Sequence, residues 1–146
     1  IRFLGCSSIL PNIIDHIDMD VFDVLQVPYS ALQPEHENTI AIAARAGVGI
    51  VIRGGVAKGP PGKGQGSADI WDLWDKAELD ELLDGEHRIE FMLRFTITNP
   101  NIHTTVVGTL DPEHLLENVA AVLRGPLPVS VYSEAKRRLA GAEVAE

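Results

Sequence analysis

Four short runs of apolar, largely β-branched residues recur along the chain: IRFLG at 1–5, FDVLQVPY at 22–29, VGIVIRG at 48–54 and HTTVVGT at 103–109. Runs with so little polar interruption suit strands buried on both faces, the pattern of a parallel sheet covered by helices. Parallel neighbours also need a crossover connection, and helical patterns fill the intervals. PEHENTIAIAARAG places Pro34 in a first helical turn and Gly47 as a stop directly before the third run. The fourth run leads straight into DPEHLLENVAAVLRG, and PVSVYSEAKRRLAG supplies a last helix. Between the third and fourth runs, the Gly/Pro-rich segment 55–75 reads as a flexible loop, followed by helical turns in AELDELL and EHRIEFMLRFTI.

Strand followed by helix, four times over, makes an α/β chain. Four such units are half of a (β/α)8 barrel or most of a small open α/β sheet, and the pattern leaves both open. A half barrel exposes two strand edges and an inner face, so it needs the other half or a partner chain, and it is expected to self-associate if isolated. The first residue is Ile, inside what already reads as a strand, so the expectation is that 1–146 is one half-barrel segment of a longer chain.

Composition narrows the partners. At 146 residues and 45% apolar, the chain can bury one real core. A net charge of −9 and a sequence pI of about 4.9 set its surface against nucleic acid and anionic membranes. Its apolar runs fall short of the ~20 residues of a membrane helix. Cys6 is the only cysteine, which rules out an internal disulfide and makes a cytoplasmic location the expectation.

The junction VVGTLDPEHLLENV at 106–119 carries the clearest chemistry. Asp111 is placed as a helix N-cap, Pro112 at the first helical position and Glu113 in the first turn, which accounts for the helix without any ligand. Gly108 and Thr109 add a second reading, because Gly admits close approach of a phosphate, Thr offers a hydroxyl, and a helix N-terminus presents unpaired N–H groups. Other motifs weigh less. AKGPPGKG has Ala57 and Gly64 where a P-loop needs Gly and Ser or Thr. HIDMD, with His16, Asp18 and Asp20 alternating, reads as a solvated loop before a metal site. Trp71 and Trp74, at i and i+3, read as packing before a substrate mouth. His36, His87 and His103 have no acidic or cysteine partner at ligand spacing.

RFLGCSS, DVLQVPYSALQPE, GVGIVIRGGVAKG and VVGTLDPEHLLENVAA resemble, in this order and spacing, the C-terminal half of an aldo/keto reductase, over nearly the whole chain. The resemblance implies that the four strands are the fifth to eighth of a (β/α)8 TIM barrel, with NADP or NAD at their C-terminal ends and a small-molecule aldehyde or ketone as substrate. It implies that Ser7, Ser8 and Gln26 hold the nicotinamide carboxamide, Ser8 standing where the family has Asn. Arg53 takes the place of a stacking aromatic. Gly54, Gly55, Val56, Ala57, Lys58 and Gly59 would wrap the pyrophosphate, and Gly108, Thr109, His114, Glu117 and Asn118 would grip the adenosine end. Many NADP-preferring members carry Lys and Arg where this chain has Gly108 and His114, and Asp111 adds a negative charge nearby. Weak discrimination between NADPH and NADH is therefore expected, unless Arg53, Lys58 or Lys63 reaches across. The family's catalytic Asp, Tyr, Lys and His belong to the first four strands, so no catalytic residue is assigned within 1–146. The segment alone is expected to be inactive and to need the N-terminal half of the barrel. The alternative function is a non-catalytic nucleotide-binding or regulatory module on the same barrel.

Overall fold

The apolar runs assemble edge to edge. In the computed structural model, which describes residues 1–62 and 65–144, the elements are β1 (Gly5–Ser7), α1 (Asn12–Asp18), β2 (Val24–Pro28), α2 (Glu37–Arg45), β3 (Gly49–Arg53) and α3 (Ala68–Lys76). A 3₁₀ turn at Leu79–Leu82 follows, then α4 (Arg88–Thr98), β4 (Thr104–Val106), α5 (Pro112–Leu123) and α6 (Val129–Val144). The four strands form one sheet, parallel throughout, in the order β1-β2-β3-β4, and each leads into a helix. No helix among the described residues is long and apolar enough to cross a membrane.

Burial along the two middle strands alternates with period two. Leu25, Val27, Ile50 and Ile52 are at most 1% exposed, whereas Val24, Gln26 and Val51 are half-buried and Arg53 is exposed. The register sets Leu25 beside Ile50 and Val27 beside Ile52, so these four share one face. They join one core with Ile40 and Ala43 of α2, Trp71 and Trp74 of α3, and Phe91, Met92 and Phe95 of α4. Each such buried Val, Leu, Ile, Phe or Met side chain stabilises the fold by about 1.5–3 kcal/mol. The opposite face carries Ser7, Val24, Gln26, Val51, Arg53, Thr104 and Val106, and no helix of the described chain covers it.

Burial on both faces is thus not what the strands have. β1 and β4 alternate between exposed and half-buried residues, because each is an outer strand of a sheet covered on one side. The first strand also starts later than residues 1–5. Asp23 Oδ2 accepts from Leu4 N–H at 2.7 Å, and the Leu4 carbonyl accepts from both Asp23 N (2.8 Å) and Val24 N (3.2 Å), so regular pairing begins only at Gly5. Ile1 and Phe3 project into solvent before it.

Two helices stand where loop was expected. HIDMD ends α1, whose fully buried Ile13 anchors it to the core. The end of 55–75 belongs to the helix Ala68–Lys76, which forms because Trp71 and Trp74 lie on one apolar stripe that the core takes up. Trp74 meets Phe91 edge to face at 5.6 Å, donates its Nε1–H to Asp80 at 2.9 Å, and lies under the Arg88 guanidinium, which pairs with Asp75 and Asp80. AELDELL is a 3₁₀ turn entered through left-handed Glu78 (φ 51°).

The last helix returns across the others. Buried Arg94 donates to Glu86 (2.6 Å) and to the carbonyls of Gly125 (2.9 Å) and Pro126 (3.2 Å), fixing the turn into α6. From there Tyr132 packs on Phe95 at 4.7 Å, Lys136 pairs with Glu37, and Arg138 pairs with Glu81 at 2.9 Å. One-sided burial has a measurable outcome. Ile50→Ala should lower the unfolding free energy by about 2–5 kcal/mol in urea titrations, and Val106→Ala on the open face by less than about 1 kcal/mol.

Candidate functional site

The C-terminal ends of the strands gather the polar residues of the open face. Ser7 is the register partner of Gln26, and Arg53 lies one strand over and two residues further along, level with Pro28 and Val106. Alternation puts Ser7, Gln26 and Arg53 on the same side of the sheet. A hydroxyl and a primary amide side by side supply the donors and acceptors that a carboxamide requires. Arg53 is exposed and forms no ion pair among the described residues, so its guanidinium is available to a ligand. Ser8 differs from Ser7. It is buried, its N–H donates to the Gln26 carbonyl at 3.1 Å, and its Oγ lies 2.9 Å from His16 Nδ1. Cys6 Sγ is 3.7 Å from the same nitrogen.

Beyond Arg53 the chain turns tightly. Gly54, Ala57, Lys58 and Gly59 all have positive φ (72°, 47°, 61° and 78°). Left-handed backbone costs a non-glycine residue roughly 1–2 kcal/mol, so Ala57 and Lys58 are held there by their surroundings. Trp71 Nε1–H donates to the Ala57 carbonyl (3.4 Å), Gln65 N–H to Lys58 (2.9 Å) and Thr96 Oγ1 to Gly55 (3.3 Å). Gly66 closes the loop from outside, since a Cβ there would collide with the Gly59 carbonyl and stand 2.6 Å from Trp71 Nε1. The N–H groups of Gly55, Val56 and Lys58 make no hydrogen bond among the described residues. Together with the exposed cations of Arg53 and Lys58 they can receive an anion. Lys63, the third cation considered, lies outside the described residues, as does Gly64 of the P-loop-like stretch.

The strand-to-helix junction is built as its sequence indicates. Asp111 caps α5, its Oδ1 accepting from Glu113 N–H at 2.9 Å, with Pro112 in the first turn. Thr109 Oγ1 accepts from Asp111 N–H at 3.0 Å. Gly108 has ordinary negative φ, and a Cβ on it would meet nothing within 4 Å, so open space rather than backbone strain surrounds this position. His114, Glu117 and Asn118 follow at helical spacing on one face of α5. His114 Nε2 lies 3.8 Å from Asp111 Oδ2, so the one basic group of this stretch already faces a carboxylate.

His36 has a part that its sequence context did not suggest. Its Nε2 accepts the Leu10 N–H at 3.1 Å, tying the segment after β1 to the start of α2, and its Nδ1 is buried without a partner among the described residues. A neutral ring that accepts at Nε2 carries its proton on Nδ1. Burial holds the His36 pKa below its ordinary value of 6.5, Arg53 lowers it further, and Glu35 opposes both. Trp71 and Trp74 are buried at 3% and 0%, so they support the 54–59 loop and the core rather than a substrate mouth. Among the described residues no three His, Cys, Asp or Glu side chains gather as a metal site would require.

The sequence matches no protein-family model and no curated protein sequence. The fold matches solved aldo-keto reductases. Over 94% of this chain it is similar to aldo-keto reductase AKR11C1 from Bacillus halodurans, with a TM-score of 0.79 and 26% identity for the holo form, and 0.78 and 23% for the apo form. It is also similar, at a TM-score of 0.70 and 18% identity, to the thermostable aldo-keto reductase Tm1743 solved with the inhibitor epalrestat. The chain spans about half the length of each, 48%, 51% and 48% respectively. Four parallel strands, each followed by a helix, thus match half of the barrel of these aldo-keto reductases.

The His36 tie is sensitive to acid. Its folded-state pKa is depressed, so it contributes stability that is complete above the unfolded value of 6.5 and is lost as pH falls from there toward the folded value. His36→Gln, whose amide oxygen can still accept from Leu10, should flatten the decline in Tm between about pH 7 and pH 5. Equal slopes for wild type and variant in thermal melts would refute this role.

Proposed function

We propose that this chain is the nicotinamide-cofactor-binding half of an aldo/keto reductase that reduces an aldehyde or ketone with NADPH or NADH. The observation that carries the reading is the single open face at the C-terminal strand ends, where Ser7, Gln26 and Arg53 adjoin a loop with unpaired N–H groups. The residues present fit the cofactor piece by piece. Ser7 and Gln26 receive the carboxamide, with Ser8 supporting Ser7's segment through His16 and the Gln26 carbonyl. Arg53 stacks or pairs beside the ring. Gly54, Gly55, Val56, Ala57, Lys58 and Gly59 receive the pyrophosphate on backbone N–H groups and one ammonium. Gly108, Thr109, His114, Glu117 and Asn118 line the adenosine end, where the open space beside Gly108 admits the ligand. When bound, the nicotinamide supplies hydride to the carbonyl carbon.

The alkoxide left by hydride transfer needs a proton, and the open face offers no acid suited to deliver it. The chain has two tyrosines, and both belong to the helix side of the sheet. Burial raises the phenol pKa of Tyr29 far above its usual value and also raises that of Tyr132, making each a poorer acid. The proton donor and most of the substrate pocket are accordingly assigned to the complementary half of the barrel. Residues 1–146 alone should bind cofactor yet oxidise it with aldehydes or ketones no faster than buffer does. Stopped-flow or steady-state absorbance on a preparation free of complete enzyme checks this, and turnover above background would overturn the assignment.

Cofactor choice follows from the junction. Residues 104–123 contain no Lys or Arg, and His114 faces Asp111. A 2′-phosphate, with close to two negative charges, therefore gains little over a hydroxyl here. The complete enzyme should bind NADPH and NADH with similar affinity in fluorescence titrations. His114→Arg should tighten NADPH by about 1–2 kcal/mol and leave NADH nearly unchanged. A wild type already preferring NADPH a hundredfold would place the phosphate elsewhere.

A further inference from the structure

On the cofactor reading above, we propose that neutral His36 is a positioning residue for the carboxamide end of the site, and that its protonation loosens Ser7 and Ser8, coupling cofactor binding to proton release. Among the described residues, two hydrogen bonds tie the segment after β1 to the next β/α unit. Ser8 N–H donates to the Gln26 carbonyl at 3.1 Å, and Leu10 N–H donates to His36 Nε2 at 3.1 Å. The other backbone bonds of residues 9–11 stay local, Ile13 N–H donating to the Ile9 carbonyl and Ile14 N–H to that of Pro11. The ring stands on a firm base. Ser30 and Gln33 exchange two backbone hydrogen bonds, Glu37 N–H donates to the Pro34 carbonyl at 2.8 Å, and Ile40 N–H donates to the His36 carbonyl at 2.8 Å. His36 thus fixes the turn that follows Ser7 and Ser8 against the unit that carries Gln26.

The tie exists in one protonation state only. An imidazole that accepts at Nε2 holds its proton on Nδ1, and here Nδ1 is buried with no acceptor among the described residues. A second proton would set a ring N–H against the Leu10 N–H, two donors 3.1 Å apart, and put a cation on a residue that is 8% exposed. The ring must then turn toward water, and Leu10 is let go. The charged groups that act on the ring are Glu35, on its own segment, and Arg53, at the end of β3. Arg53 has the smallest of the effects on His36, so the charge of a ligand beside it changes the ring's basicity little, and the hydrogen bond decides the sign. A cofactor that prefers the tied form lowers the proton affinity of His36, and protons weaken the cofactor by the same factor.

Calorimetric titration of the complete enzyme with NAD+, which survives acid, measures both sides of this linkage between about pH 8 and pH 5. Wild-type affinity should fall about threefold or more toward the acid end, with a proton released on binding near the His36 midpoint, seen as heats that depend on the buffer. His36→Gln, whose amide oxygen still accepts from Leu10, should bind as wild type does at pH 8 and lose the His36 share of the pH dependence. The remainder comes from other groups at the site, His16 and His114 among them. His36→Leu, with no acceptor, should bind about threefold or more weakly even at pH 8. Exchange of the Leu10 amide hydrogen should quicken in acid beyond its intrinsic rate in wild type and not in His36→Gln. Equal pH profiles of NAD+ affinity for wild type and His36→Gln would overturn the positioning role, whatever Leu10 does. If NAD+ bound at no pH while acid still released Leu10, the cofactor reading itself would fall, and the positioning role with it.

Discussion

Leu25 beside Ile50 and Val27 beside Ile52 make a four-residue apolar patch on one face of two parallel strands, and its burial beneath α2, α3 and α4 decides what the other face must be. Side chains alternate along a strand, so anchoring Leu25 inward turns Gln26 outward, and anchoring Ile52 inward turns Arg53 outward. A slip of one residue would exchange the sets, exposing isoleucine and burying a guanidinium, at a cost no small domain could bear. The hydrophobic core therefore aims the polar residues at the strand ends, and the candidate site is specified by the same pairing that stabilises the sheet.

The loops at the site are shaped from behind. The left-handed turn at Ala57–Gly59 is fixed by Trp71 and Thr96 at its back, and by the lack of a side chain on Gly66. The segment after β1 is fixed by His36, on the next β/α unit, and by the contact between Ser8 and His16. Trp71 and Thr96 spend their donors on carbonyls of the 54–59 loop, leaving the N–H groups of Gly55, Val56 and Lys58 without a partner among the described residues. A donor-rich rim on an otherwise acidic protein results. Its local geometry suits an anion in spite of the net charge.

Features specified by neighbouring residues were legible in the sequence. The four strands, their parallel order, the helix before β3 and the Asp111 cap all follow from periodicity, Gly and Pro punctuation and capping chemistry acting within a few residues. Features set by distant partners were not. α3 was hidden because the Gly/Pro-rich stretch before it dominates the local composition, while the burial that makes it a helix comes from Phe91 and its neighbours. Likewise His36 reads as an isolated histidine until folding brings Leu10 to it across 26 residues. The first strand begins at Gly5 and not at Ile1 because Asp23 takes the Leu4 amide, which apolar character alone cannot show. The outer strands are covered on one face only, since an apolar run says that something covers it and not what does.

α6 gives the chain an order of events. Lys136 reaches Glu37 across 99 positions, Arg138 reaches Glu81 across 57, and Tyr132 lies against Phe95. Contacts of such separation are entropically expensive to close and come late in folding. While a ribosome is still making the chain, the earlier β/α pairs can form, but Phe95 and the outer surface of α2 stay bare until α6 has been synthesised. The interval between translating β4 and translating α6 is then a period in which Phe95 stays open to a chaperone or a protease, and slow codons placed there would lengthen that exposure.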